Sequence, residues 1–190
     1  MSGLINHKLY IKENKTIKFS DETLKRIGEI ILHYPGDRKK SALLPVLHIA
    51  QQELGGYLSV DVMDYVATLL EIQPIEVYEV ATFYTMFHPE PVGKYVIEVC
   101  QTGPCAICGS EYILEHLEKI LEIKNGETTP DGFFTLKTVE CLGSCGTAPV
   151  MQINSEFYES LTDEKIEHVI EELKNIETQK PPETRWAELF

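Results

Sequence analysis

The amino-acid sequence predicts an α+β protein in which a helical bundle precedes a small sheet with helices packed on it. Apolar residues recur with a helical period in the first half of the chain, and the period becomes strand-like in the second half. A segment with two prolines, residues 89–93, separates the two parts. With 190 residues, the chain is long enough to bury a hydrophobic core without disulfide bonds.

Four amphipathic helices are predicted in the first half. Ser20 caps the first and Ser41 the second, in which Pro45 is tolerated because it lies in the first turn. Ser59 begins the third helix, and Pro74 opens the fourth at a first-turn position. The apolar stripes are Leu24, Ile27, Ile31 and Tyr34; Leu43, Leu47, Ala50 and Leu54; Val62, Tyr65, Val66, Leu69 and Leu70; and Val77, Val80, Tyr84 and Phe87. Helices joined by such short connections form a small bundle.

Three aromatic residues, Phe83, Tyr84 and Phe87, lie at the end of the fourth helix, which is expected to continue as far as His88-Pro89. They are candidates either for anchors that face a partner protein or for core residues. Core packing is the favoured interpretation, because the helical period continues through Tyr84 and Phe87.

The second half predicts alternating strands and helices. The expected order is a strand at 95–99, a helix at about 110–123, strands at 134–139, 149–153 and 156–159, and a helix at about 163–174. The two helices carry apolar faces: Ile113, Leu117, Ile120 and Leu121 in the first, and Ile166, Val169, Ile170 and Leu173 in the second, after a cap at Thr162. These elements predict a small sheet covered by helices.

The chain therefore divides into four predicted segments. Residues 1–19 form an N-terminal extension, residues 20–91 the helical bundle and residues 92–176 the sheet domain. Residues 177–190 contain a Pro-Pro pair and a tryptophan, and we expect this tail to acquire structure only against a partner.

Composition excludes several classes of function. The net charge is −13, and residues 94–190 carry eight basic against eighteen acidic residues, so that nucleic acid is a poor partner. No apolar run approaches the roughly 18–20 residues of a membrane span, and the first residues lack the apolar core of a secretion signal. Five cysteines are an odd number, and their clustering favours a reducing compartment over a disulfide framework.

The cysteines carry the chemistry of the second half. Cys100 follows a predicted strand and begins a C-x4-C motif with Cys105, and Cys141 follows another strand and begins a C-x3-C motif with Cys145. Both loops are rich in glycine, which allows the backbone to fold tightly and to direct N–H groups at sulfur. Four thiolates on two such loops suit a metal ion or a small iron-sulfur cluster.

Three kinds of site compete for these cysteines. Cys105 and Cys108 form a C-x-x-C motif, typical of a redox-active dithiol, but that interpretation leaves three cysteines without a role. Zinc accepts four thiolates, although structural zinc sites usually have shorter spacings and occur in loop-rich modules. Cys100, Cys105, Cys108 and Cys141 match the plant-type ferredoxin pattern, C-x4-C-x2-C with a distant fourth cysteine.

The position of Cys108 relative to the helix helps to distinguish these alternatives. If a helix begins near Cys105, then Cys108 lies about one turn inside it and need not face the loop of Cys141. The expectation for Cys108 is therefore a buried free thiol.

Several motifs together resemble the small thioredoxin-like 2Fe-2S subunit of respiratory NADH:quinone oxidoreductase, which is complex I. They are the C-x4-C loop from Cys100, Gly126–Gly132 (GETTPDG), Val139–Cys145 (VECLGSC), Ala148–Ile153 (APVMQI) and, in the first half, Ala81–Phe87 (ATFYTMF). The resemblance covers about residues 20–175.

The resemblance implies a helical bundle followed by a thioredoxin-like 2Fe-2S ferredoxin domain, and an electron-transfer function. It implies that Cys100, Cys105, Cys141 and Cys145 bind one 2Fe-2S cluster, and that a larger flavoprotein partner subunit carries FMN and oxidises NADH. The sequence itself has no G-x-G-x-x-G motif or Walker loop for such ligands.

We expect the chain to lie in the cytoplasm or, in a eukaryote, on the matrix side of mitochondria. The complex would hold it at the surface of the inner membrane. Similar subunits also serve NAD-linked hydrogenases and formate dehydrogenases, which remain the alternative. A thioredoxin-like dithiol oxidoreductase is the more distant one.

Overall fold

The computed structural model describes residue 12 and residues 15–175. The predicted tail, 177–190, and the first eleven residues of the predicted extension lie outside the described residues. The chain divides into two compact units between Pro91 and Val92. This junction lies within the two-proline segment at which the sequence period changes from helical to strand-like.

The first unit contains the four expected helices. They are α1 (Asp21–Leu32), α2 (Leu43–Glu53), α3 (Val60–Leu70) and α4 (Pro74–Phe83). The hydroxyl of Ser20 accepts a hydrogen bond from the Thr23 N–H at 3.2 Å, and that of Ser59 accepts one from Val62 at 3.3 Å. The predicted caps of α1 and α3 are thus confirmed, as is the position of Pro74 in the first turn of α4. The apolar stripes of all four helices, apart from Tyr84 in the fourth, meet in one core.

The predicted cap of α2 is wrong. Ser41 lies within a 3-10 turn, Lys39–Ala42, and the residue that precedes α2 is Ala42. The N–H of Leu43 donates to the carbonyl oxygen of Lys40 in this turn. A backbone carbonyl therefore satisfies a donor of the first turn, which a serine hydroxyl was expected to satisfy.

The end of α4 also differs from the prediction. The helix stops at Phe83, and Tyr84 has extended backbone angles. Phe87 is buried in the core from the following loop, but Phe83 and Tyr84 are 76% and 39% exposed, so the core interpretation is wrong for these two residues. Gln51 explains the early stop, because its side chain accepts a hydrogen bond from the His88 N–H at 2.8 Å and thereby fixes the loop.

The second unit is a mixed four-stranded sheet with helices. Its elements are β1 (Tyr95–Cys100), α5 (Gly103–Ile107), α6 (Ser110–Leu121), β2 (Phe134–Val139), β3 (Met151–Ile153), β4 (Glu156–Tyr158) and α7 (Asp163–Asn175). The strand order is β2-β1-β3-β4; β1 is parallel to β2 and antiparallel to β3, and β3 is antiparallel to β4. Thr162 caps α7 as predicted, since its hydroxyl accepts from the Lys165 N–H at 3.3 Å. The α+β class is confirmed.

The central strand β1 is buried along its whole length. Tyr95, Ile97 and Val99 alternate along it and pack in one core with the apolar faces of α6 and α7. Glu98 and Cys100 belong to the opposite set of alternating positions. Glu98 is 7% exposed, and its carboxylate lies 2.8 Å from the Nζ of Lys137 on β2.

The described helices include no membrane-spanning candidate, because none of them combines sufficient length with sufficient hydrophobicity.

The start of the sheet unit generates a first prediction. A Cβ at Gly93 would lie 2.9 Å from the backbone carbon of Phe134, and backbone cannot give way as a flexible side chain can. We expect Gly93→Ala to lower the free energy of unfolding by about 1–3 kcal/mol, through overpacking. Urea denaturation of the variant and the parent chain measures this difference.

The matched control is Gly28→Ala within α1. A Cβ there meets nothing within 4 Å, so the replacement should instead raise the free energy of unfolding, by about 0.5–1 kcal/mol. If both substitutions changed stability equally, the close approach at Gly93 would not be the cause.

Candidate metal centre

The parallel pairing of β1 with β2 brings the two cysteine loops to the same edge of the sheet. Cys100, the last residue of β1, lies opposite Val139, the last residue of β2. The N–H of Gln101 donates to the carbonyl oxygen of Val139 at 3.0 Å, so the strands stay paired up to the loops. Cys141 follows two residues after Val139. The predicted placement of both motifs at neighbouring strand ends is therefore what the structure shows.

The first loop buries both of its cysteines. Cys100 is 3% exposed and Cys105, in the short helix α5, is 2% exposed. They form a small apolar cluster with the fully buried Val150, on which Leu142 and Ala148 pack. The second cysteine loop, through Leu142, and the segment that leads into β3, through Ala148 and Val150, thus pack against the cysteines of the first loop.

Backbone groups surround the sulfur atoms. The Gly143 N–H donates to the Sγ of Cys141 at 3.4 Å, within the second loop. The thiol of Cys100 lies 3.5 Å from the carbonyl oxygen of Glu140, its acceptor. The hydrogen bond from Gly143 to Cys141 lies within the C-x3-C loop. The hydrogen bond from Cys100 to Glu140 connects the C-x4-C loop with the residue that precedes Cys141.

The two buried thiols have pKa values shifted in opposite directions. Burial raises the pKa of Cys100, but hydrogen bonds from the N–H groups of Thr102 and Leu142 and from the Cys105 thiol bring it below its ordinary value. Burial raises the pKa of Cys105, and so do its hydrogen bond to Cys100 and the nearby charge of Cys145. Cys105 therefore lies close enough to interact with both Cys100 and Cys145.

Cys108 is not the buried thiol that the sequence led us to expect. The helix α5 ends at Ile107, and α6 begins at Ser110, with Cys108 exposed at the junction. Gly109 has a φ of 94°, a left-handed conformation that ends one helix before the next begins. Cys108 is thus exposed, because the short helix α5 ends before it and the chain turns at Gly109 before the predicted helix, α6, begins.

Cys141 and Cys145 are exposed as well, which gives the centre a buried pair and an exposed pair of thiols. In the part of the chain that the structure describes, no three His, Cys, Asp or Glu side chains converge as ligands of a single metal ion do. A 2Fe-2S cluster takes two ligands on each iron, and the two cysteine pairs fit that requirement.

Sequence reasoning missed three polar residues beside Cys145. Ser144 immediately precedes the 3-10 turn Cys145–Thr147, and Thr147 ends it; both residues donate hydrogen bonds to the carboxylate of Glu159, which follows β4. In the sequence, the β3-β4 hairpin separates Glu159 from this turn. No spacing or period in the sequence connects Glu159 with Cys145.

Comparison with known proteins identifies relatives that match most of the chain. The chain is 49% identical over 162 residues to the E subunit of NADH-quinone oxidoreductase from Rickettsia prowazekii, a match that covers 85% of this chain and 92% of the relative. It is 43% identical over 163 residues to NADH dehydrogenase [ubiquinone] flavoprotein 2, mitochondrial, of Dictyostelium discoideum, covering 86% of this chain and 66% of that protein.

A solved structure of an NAD+-reducing [NiFe]-hydrogenase in its H2-reduced state also matches. The TM-score is 0.62 at 25% identity, over 70% of this chain. The chain spans only 23% of that hydrogenase chain.

The family model for the thioredoxin-like [2Fe-2S] ferredoxin matches residues 27–174, which are most of the chain. The matched region includes all five cysteines and both strands that carry the cysteine loops. The chain therefore belongs to the thioredoxin-like [2Fe-2S] ferredoxin family.

Proposed function

We propose that this chain is the electron-transfer subunit of an NADH:quinone oxidoreductase and that it carries one 2Fe-2S cluster. The observation that carries the proposal is the pair of cysteine loops at neighbouring, parallel strand ends. Family membership supports the cluster, and similarity to the Rickettsia protein over nearly the whole length of that relative supports the assembly. The chain acts as one subunit of an oxidoreductase.

The proposed ligands are Cys100, Cys105, Cys141 and Cys145. The first two lie in the C-x4-C loop and would bind one iron, and the last two lie in the C-x3-C loop and would bind the other. The pKa of Cys100, lowered by the surrounding N–H groups, favours the thiolate that an iron ligand requires.

The protein contributes burial, hydrogen bonds and orientation. A bound 2Fe-2S cluster accepts and returns one electron, and its potential depends on charge, hydrogen bonds to sulfur and solvent exposure. Val150 and Leu142 exclude water from Cys100 and Cys105, whereas Cys141 and Cys145 lie on the exposed side. That exposed side is where a redox partner can approach most closely.

The partner in this proposal is the flavoprotein subunit that binds FMN and NADH, together with further subunits of complex I. The sequence has no phosphate-binding motif of its own, which supports the assignment of NADH and FMN to another chain. We place the chain at the inner membrane through the complex, on the cytoplasmic side or, in a eukaryote, on the matrix side.

A second candidate is the equivalent subunit of an NAD-linked hydrogenase or formate dehydrogenase. The fold similarity to the hydrogenase chain favours it. Affinity purification of the tagged chain from native membranes, followed by mass spectrometry, distinguishes the two. Membrane subunits of complex I support the first candidate, and a nickel, iron or molybdenum enzyme without them supports the second.

The cluster itself provides the next prediction. Anaerobically purified chain should be red-brown and contain about two irons and two acid-labile sulfides, as a 2Fe-2S cluster requires. Iron and sulfide analysis with the visible spectrum measures this. Zinc without sulfide would contradict the cluster, and so would a colourless preparation that reduces insulin disulfides.

Substitution of single cysteines tests the ligand assignment. Cys145→Ser should lose most of the visible spectrum and of the reduced-state EPR signal, because it removes one of the four thiolates. Cys108→Ser is the matched control and should retain both signals, because Cys108 is exposed at the junction of α5 and α6. The opposite result, with Cys108 essential and Cys145 dispensable, would favour the plant-type pattern.

Activity measurements test whether NADH oxidation requires the flavoprotein subunit. The purified chain should hold its cluster but oxidise no NADH, because the flavin and the nucleotide site are proposed to lie on the partner. Co-expression with the flavoprotein subunit should restore NADH oxidation with an artificial electron acceptor. NADH turnover by the chain alone would refute this assignment.

A further inference from the structure

We propose that Glu159 is a positioning residue, which holds the turn of Cys145 in the geometry that cluster binding requires. The inference rests on the proposed function, because it takes Cys145 as a cluster ligand. Cys145 begins the 3-10 turn Cys145–Thr147, with Ser144 immediately before it. The Glu159 carboxylate contacts this turn on both sides of the cysteine.

Two hydroxyl groups converge on one oxygen of Glu159. The Oγ1 of Thr147 donates to the Oε1 of Glu159 at 2.7 Å, and the Oγ of Ser144 donates to the same oxygen. The two hydroxyl oxygens lie 2.9 Å from each other. Because each hydroxyl has a single proton, the carboxylate can orient both side chains at once. Hydrogen bonds to an ionised acceptor are also stronger than those between neutral groups.

The backbone around Glu159 is also held by hydrogen bonds, to Thr147 and to α7. The next residue, Ser160, donates its N–H to the carbonyl oxygen of Thr147 at 2.6 Å, and the Nζ of Lys165 in α7 lies 2.5 Å from the carbonyl oxygen of Glu159. The hydrogen bonds from Ser144 and Thr147 lower the pKa of the Glu159 carboxyl, which keeps it ionised. The turn is therefore attached to the end of the sheet and to α7.

The need for such an attachment follows from the exposure of the ligands. Cys100 and Cys105 are buried, so the packing around Val150 restricts their side chains. Cys145 and the following Gly146 are exposed, and core packing does not fix them. The hydrogen bonds of Ser144, Thr147 and Glu159 provide the missing restraint. Groups that orient metal ligands in this way typically change metal affinity about 10–100-fold when they are removed.

The test uses the full chain with its cluster. Glu159→Ala should lose the cluster to an iron chelator about tenfold faster than the parent chain, and its reduced-state EPR g values should change. Glu159→Gln keeps an oxygen that accepts both hydroxyls but removes the charge. It should lose the cluster within about twofold of the parent rate, and its midpoint potential should rise by an amount that corresponds to about threefold tighter electron binding.

Glu156→Ala is the matched control, because Glu156 is an exposed glutamate on the same hairpin and belongs to β4. Cluster loss from Glu159→Ala at the rate of this control, with unchanged g values, would overturn the proposal. If Glu159→Gln lost the cluster as fast as Glu159→Ala, the proposal would also be overturned. The hydrogen bonds that residue 159 accepts would then not be the reason why the parent chain retains its cluster.

A second pair of variants separates positioning from misfolding. Thr147→Ser keeps the hydroxyl and should match the parent chain, whereas Thr147→Val removes the donor and should lose the cluster faster, with the circular dichroism unchanged. Equal rates for the two variants would refute the role of this hydrogen bond. Absence of a 2Fe-2S signal from the parent chain would instead contradict the proposed function, so the two failures are distinguishable.

Discussion

Parallel pairing of β1 with β2 is the constraint on which the candidate metal centre depends. A parallel ladder places the carboxyl ends of both strands at one edge, and the register sets Cys100 opposite Val139. A slip by one residue would turn Cys100 towards the face that carries α6 and α7. The ion pair of Glu98 with Lys137 opposes such a slip, because Glu98 is buried and would lose the partner that lies directly across from it.

This register leads to a centre with two unlike halves. The C-x4-C loop continues a buried strand, and its two sulfurs are covered by Val150 and Leu142. The C-x3-C loop follows β2 at the edge of the sheet, and its sulfurs are exposed. Packing surrounds the first pair, whereas hydrogen bonds lie beside the second pair. The Gly143 N–H donates to the Sγ of Cys141, and the hydroxyls of Ser144 and Thr147 donate to Glu159 beside Cys145. Such a centre combines shielding on one side with access for electron exchange on the other.

The helical unit shows how tertiary contacts override a periodic pattern. The pattern in α4 continues to Phe87, yet the helix ends at Phe83, because the loop that follows is fixed by the hydrogen bond from His88 to Gln51 in α2. Phe87 still reaches the core, while Phe83 and Tyr84 remain exposed and pack edge to face, with ring centroids 5.0 Å apart. The path of the loop after α4, more than the helical spacing, therefore decided which of these three aromatic residues is buried.

The sequence by itself determined the features that depend on neighbouring residues. Helical and strand periods, the caps at Ser20, Ser59 and Thr162, and the two cysteine motifs arise from local chemistry, so they predicted the fold class and the strand ends at which the cysteines lie. The family was indicated by the resemblance of the motifs to those of a known family. Only the tertiary structure decided the exposure of Cys108 and the partner of the Cys145 turn. The first depends on the left-handed conformation at Gly109, and the second on Glu159, which a β-hairpin separates from that turn. Contacts of this kind leave no period or spacing in the chain, because the folded sheet creates them.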